Sequence, residues 1–271
     1  MSSSSENERL HFPFITFVIA GFTLGFFLLA NWGFIDAQRL ALIPAQFHDW
    51  VESYGVIIAS ILTLPNMFTA ALVHSGWAHI IGNLVFFIAL APALEKKLGA
   101  QAFCALYVVG AIVSSIGALI YSPLTYTNPL GQETIVSIAG ASGAIAAVMG
   151  GVLVVCPKNV LGYIWYPRAA LADLRGAYEI RDWKSFFGAI SFPRAVLYSW
   201  VAVVAFVVEQ FSVINSEYGN VISSGSAILH LVGLGSGVVF ALSYRHVITA
   251  YKWCSPHVSG AYKALMSRWG N

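Results

Sequence analysis

Six stretches of this chain are long and apolar enough to cross a bilayer, and nothing else in the sequence narrows its fold as much. They run over residues 12–34, 77–94, 101–121, 138–156, 193–213 and 226–244. A span needs about 20 predominantly apolar residues to cross a hydrocarbon core about 30 Å thick. Within that core every backbone polar group must be satisfied internally, which leaves only helices or closed barrels. Uninterrupted apolar runs of this length select helices. Composition agrees: 10% of residues are charged, where a soluble domain carries about 25%. The expectation is an all-α membrane protein, a six-helix bundle over residues 12–245 between an N-terminal tail (1–11) and a C-terminal tail (246–271). The first apolar run lacks a small-residue cleavage site and reads as a retained anchor.

Charge placement orients the bundle. A seventh apolar stretch, residues 54–73, is interrupted by Pro65 and Asn66. With six spans and the N-terminus inside, Arg39 is the one basic residue of 14 that falls outside. If residues 54–73 also crossed, the basic loop 157–193 would be exported, against the cytoplasmic bias of Lys and Arg. Both termini are therefore expected in the cytoplasm, with residues 35–73 resting at the outer interface as short amphipathic helices. The loop 157–193 reads as a solvated face with interfacial aromatics. The short basic-inside loops suit a prokaryotic plasma membrane. Cys104, Cys156 and Cys254 show no ligand spacing and read as packing thiols.

Polar residues inside spans are expensive and need a reason. His79 and Asn83 are four apart at the start of the second span and share a helix face. The fourth span opens on Gly140-Ala141-Ser142-Gly143, and the sixth carries His230 near its start. Spans two, four and six all enter from outside, so His79, Asn83, Ser142 and His230 are expected in one outer layer. Small residues let two of these helices approach. His230, Gly233 and Gly237 lie on one face, as do Ser142, Ala146 and Gly150, and such faces pack backbones closely.

This set suits acyl transfer. A serine hydroxyl becomes a competent nucleophile when a neighbouring base takes its proton, and His230 fits that role. No span contains an aspartate; Glu95 lies at the cytoplasmic end of the second span, and nothing in the spacing aims Glu209 at His230. A Ser-His dyad is expected over a triad. Donors for a developing oxyanion are the Asn83 amide, the His79 imidazole and the Ser142 N–H, with Gly140 and Gly143 allowing close approach of substrate. A zinc site built on His74, His79 and His230 fares worse, because there is no HExxH and no obvious carboxylate to complete it. No metal, cofactor or nucleic acid is expected.

These residues resemble the rhomboid family of intramembrane serine proteases. The resemblance rests on His74, His79 and Asn83 in an H-x4-H-x3-N pattern, on Glu95-Lys96-Lys97-Leu98-Gly99, on Gly140–Gly143 as G-x-S-G, and on His230–Gly237 as H-x2-G-x3-G. It implies a six-helix fold around a water-filled cavity open to the outside, a Ser142 nucleophile and a His230 base. It also implies an oxyanion site near His79, Asn83 and the Ser142 N–H. Three features depart from the family's pattern. Pro65 and Asn66 stand where it often has a Trp-Arg pair, Ala146 stands where many members have an aromatic residue, and the loop 157–193 is longer than in the simplest members. The activity implied is cleavage of single-span membrane proteins near the outer face. The loop 214–225 is polar enough to cap the cavity, so it is expected to form the entry gate with the fifth span, an ordinary connector being the other reading. The alternative is a silent rhomboid-like protein that binds membrane clients.

Overall fold

The structure, a computed structural model, describes residues 12–127, 130–165, 194–215 and 221–254. The first helix, α1 (Phe14–Asn31), has no capping side chain of its own. Its cap comes from a distant residue. Glu95, fully buried, accepts hydrogen bonds from the Ile15 N–H at 3.0 Å, the Thr16 N–H at 2.8 Å and the Thr16 hydroxyl at 2.7 Å. Free N–H groups and the positive end of the helix dipole make this a favourable place for a carboxylate. The same bonds satisfy a side chain that would otherwise oppose burial.

Residues 35–73 form three short helices, α2 (Ala37–Leu40), α3 (Pro44–Tyr54) and α4 (Val56–Thr69), closed by a 3-10 turn at Ala70–Leu72. At 14 residues, α4 rises about 21 Å, short of a crossing. It leaves Ile57, Ile61 and Leu64 exposed. The segment is tied down from α4: the Asn66 amide donates to the carbonyls of Arg39 (3.0 Å) and Ala41 (2.8 Å), and the Thr69 hydroxyl donates to Leu40 (2.7 Å). Asn66, one of the residues that depart from the family's pattern, is thus itself a loop anchor.

Helices α5 (Trp77–Leu98) and α6 (Ala100–Tyr121) meet at Gly99, whose φ of 84° few side chains tolerate. A hairpin of β1 (Thr125–Thr127) and β2 (Glu133–Ile135) follows. The fourth apolar stretch, expected to be helical from residue 138, starts as extended chain. Ile138 exchanges backbone bonds with Leu42 at 2.8 and 2.9 Å, and the Gly140 N–H donates to Ala70 at 2.8 Å. These tertiary partners outcompete helix, so α7 (Ser142–Val155) begins on the serine itself. The fifth stretch is corrected in the same way. Residues 194–198 form β4 (Arg194–Tyr198), paired antiparallel with β3 (Val160–Trp165), and α8 (Ser199–Asn215) starts only after them. The Ser199 N–H and hydroxyl both donate to the Asn159 carbonyl, joining the hairpin to the helix. The last helix, α9 (Val221–Cys254), exceeds the expected 226–244 at both ends.

Among the described residues, four helices have the length and hydropathy to cross a membrane: α1, α5, α6 and the part of α9 from Gly225 to Ile248. α7 and α8 are apolar but shorter, so the six comparable spans expected become four long and two short. The two hairpins are additions to a mostly helical membrane bundle. Large apolar side chains such as Phe22, Ile120, Val208 and Val239 face outward, as lipid contact requires of an integral membrane protein. At the centre stands α7, buried from Gly143 to Val152 and packed by α5, α6 and α9. A Cβ at Gly237 would overlap the Ala147 carbonyl, and one at Gly150 would overlap the Leu234 carbonyl. The α7–α9 seam is backbone against backbone. The tails 1–11 and 255–271, most of the loop 157–193, and residues 216–220 of the loop expected to cap the cavity lie outside the described residues.

Candidate active site

The close seam decides where two side chains meet. Gly233 abuts the Gly143 carbonyl, which leaves no room for any larger residue. One turn towards the helix start from Gly233, the His230 Nε2 lies 2.8 Å from the Ser142 Oγ. As the first residue of α7, Ser142 has an N–H without an intrahelical acceptor. The two side chains sit 88 residues apart in sequence; only the packing of α7 on α9 joins them.

The other imidazole nitrogen is also held. His230 Nδ1 lies 2.8 Å from the Oε1 of Gln210 on α8. Phe206, one turn earlier on α8, places its ring 5.6 Å from the imidazole at an interplanar angle of 49°. Neither residue was among the expected site residues. Their signal in the sequence was faint: an aromatic and an amide four apart in an otherwise apolar helix. The neighbouring Glu209 turns its carboxylate to the Gln210 amide nitrogen and not to the imidazole. Ala146 is fully buried against the seam, close to where a Cβ on Gly233 would stand. The aromatic neighbour of His230 therefore comes from α8 and not from α7.

Across the cavity stand His79 and Asn83 of α5. Asn83 is buried, and its Nδ2 has no hydrogen-bond partner among the described residues. The His79 Nδ1 lies 3.1 Å from the Ser75 hydroxyl. When that hydroxyl donates, the ring proton sits on Nε2, the atom on the Gly140 side. Gly140 has φ of 130°, and a Cβ there would stand 2.7 Å from His79 Nε2; both conformation and space demand glycine. Below this, the Ala141 N–H donates to His74 Nε2 at 3.4 Å. Burial, reinforced by the neighbouring His79, holds the His74 imidazole down at about 4, so it is a neutral acceptor near pH 7.

His79, Asn83, Gly140, Ser142 and His230 all line one cavity of about 400 Å³, together with Phe86 and Phe206. A hydroxyl, a base and unpartnered donors facing one space is the arrangement acyl transfer requires. Among the described residues, no three His, Cys, Asp or Glu side chains gather as a metal site.

Residues 63–247 match the family model of the Rhomboid domain. Similar proteins include the one named "Putative rhomboid protease YdcA" of Bacillus subtilis (strain 168), 27% identical over 139 residues, covering 51% of this chain and 60% of that protein. Rhomboid-related protein 2 of Mus musculus is 35% identical over 80 residues, covering 30% of this chain and 23% of that protein. Rhomboid protease GluP of Bacillus subtilis (strain 168) is 30% identical over 94 residues, 35% of this chain and 16% of that protein. In each case the match spans less than two thirds of the relative's length. The family match takes in every residue from His74 to Gly237 discussed above, and on that ground the chain belongs to the rhomboid family.

Proposed function

We propose that this protein is an intramembrane serine endopeptidase that cleaves single-span membrane proteins near the outer face, with Ser142 as nucleophile and His230 as base. The observation that carries the reading is the 2.8 Å approach of Ser142 Oγ to His230 Nε2 in a cavity that also holds the amide of Asn83, unpartnered among the described residues. A protein that only bound membrane clients would have no use for a nucleophile and base in register.

The chemistry follows from the geometry. Ser142 Oγ attacks the scissile carbonyl carbon while its proton passes to His230 Nε2, and the carbonyl π electrons move onto oxygen. Asn83 Nδ2, His79 Nε2 and the Ser142 N–H are the donors for that oxyanion. As the intermediate collapses, the C–N bond breaks and the Nε2 proton goes to the departing amine. A water then gives a proton to Nε2 and attacks the acyl carbon, and collapse returns the proton to Ser142 with release of the acid.

The lengths of the helices support cleavage near one face. At 14 residues, α7 rises about 21 Å against a core about 30 Å thick. A helix of that length sets its N-terminal serine below the level at which a full crossing would begin. An intact substrate helix hides its carbonyls in internal bonds, so the scissile stretch must be extended, which is most feasible near the surface where water satisfies the freed groups. The orientation with both ends cytoplasmic, in a prokaryotic plasma membrane, rests on the distribution of Lys and Arg.

Labelling by a serine-reactive fluorophosphonate tests the reading. Wild-type protein in detergent should be labelled and Ser142→Ala should not; equal labelling of the two would overturn it.

A further inference from the structure

A fully polar side chain buried in an apolar helix calls for an explanation, and α8 carries one. Gln210 is 3% exposed in a segment otherwise made mostly of Val, Ala, Phe and Trp. Its amide is used at both ends. Nε2 donates to the Phe206 carbonyl at 3.4 Å and contacts the Glu209 carboxylate, while Oε1 faces His230 Nδ1 at 2.8 Å. Those two acceptors leave Nε2 no reason to turn, so the carbonyl end stays towards the imidazole.

That orientation selects a tautomer. An acceptor at Nδ1 requires the ring proton there, which leaves the Nε2 lone pair for the Ser142 hydroxyl at 2.8 Å. With the amide reversed, a donor would face Nδ1, the ring proton would move to Nε2, and His230 would donate to Ser142 in place of accepting its proton. Phe206 meanwhile covers the ring from the same helix, 5.6 Å away. Two residues one turn apart thus hold the imidazole's tautomer and its plane.

We propose that Gln210 is the positioning residue for His230, making a Ser-His-Gln relay in which the placement of α8 determines whether the base is competent. This rests on the serine-protease reading above. Among the described residues, His79 on α5 lines the same cavity and Glu209 on α8 contacts the Gln210 amide; neither bonds Nδ1 in the structure.

The test uses the full-length protein in detergent and the rate of fluorophosphonate labelling against probe concentration, which separates the maximal rate from half-saturation. Gln210→Leu keeps the volume and removes the acceptor. Its maximal rate should fall about 10–100-fold, the effect of one hydrogen bond to a group that becomes charged, with half-saturation unchanged. Gln210→Glu restores an acceptor at the same reach and should recover the rate to within a few-fold of wild type. Asn, one methylene shorter, should not. If Gln210→Leu labels at the wild-type maximal rate while Ser142→Ala is inert, the relay is overturned and the dyad stands. If Gln210→Leu fails to fold, Glu and Asn decide: equal rates in both overturn the proposal. An unlabelled wild-type protein overturns the protease reading, and the relay with it.

Discussion

The side-chain amide of Asn66 donates to the backbone carbonyl of Ala41 at 2.8 Å, and with the companion bond to Arg39 at 3.0 Å it fastens the chain around α2 to α4. Two hydrogen bonds from one amide are worth about 1–3 kcal/mol together. Asn66→Leu should lower the thermal midpoint and speed proteolysis between residues 33 and 55, while fluorophosphonate labelling of Ser142 survives. Unaltered proteolysis of that segment would show that the anchor lies elsewhere, in Thr69 or the Leu42–Ile138 bridge.

Ser142→Ala and His230→Ala should each abolish cleavage of a model transmembrane substrate without unfolding the protein. Nucleophile and base act as a unit, so the double variant should be no slower than either single one. Additive losses would mean that the two residues contribute independently.

Asn83 Nδ2 is buried without a partner among the described residues, which suits a donor whose acceptor is formed only during reaction. Asn83→Ala should reduce kcat by about 10²–10³ with little change in KM. A rise in KM alone would assign the amide to ground-state binding. Less than a tenfold loss would mean that His79 and the Ser142 N–H suffice.

The Gly237 seam admits no side chain, because a Cβ there would overlap the Ala147 carbonyl. Gly237→Leu should destabilise by about 1–3 kcal/mol or more and should also slow labelling of Ser142, since parting α7 from α9 separates hydroxyl from imidazole. Thermal denaturation and labelling rates on the same preparation check both halves. A stable variant with normal labelling would dissociate the seam from the site.

Much of this arrangement was legible in the sequence because membrane burial makes polar residues conspicuous. Ser142, His230, Asn83 and His79 are rare residue types at rare depths, and helical spacing alone put the glycines of α9 on the His230 face. What escaped the sequence was decided by partners far along the chain. The extended stretch before Ser142 is as apolar as helix, and only its bonds to Leu42 and Ala70 show why it is not one. The β3–β4 pairing likewise took the start of the fifth apolar run out of helix. Gln210 was hidden by its own neighbour: a carboxylate at Glu209 draws the eye, yet helix geometry turns the following residue towards His230.

Glu95 ties the start of α1 to the end of α5 across 79 residues of sequence, and that separation bears on assembly. Membrane helices form individually before they associate, so α1 exists for a time with its first amides unmatched by any residue of its own. Those amides find their acceptor only when the end of α5 has been synthesised and has docked. The register of the first helix is therefore set late and from outside itself, by a side chain that lies 79 residues further along the sequence.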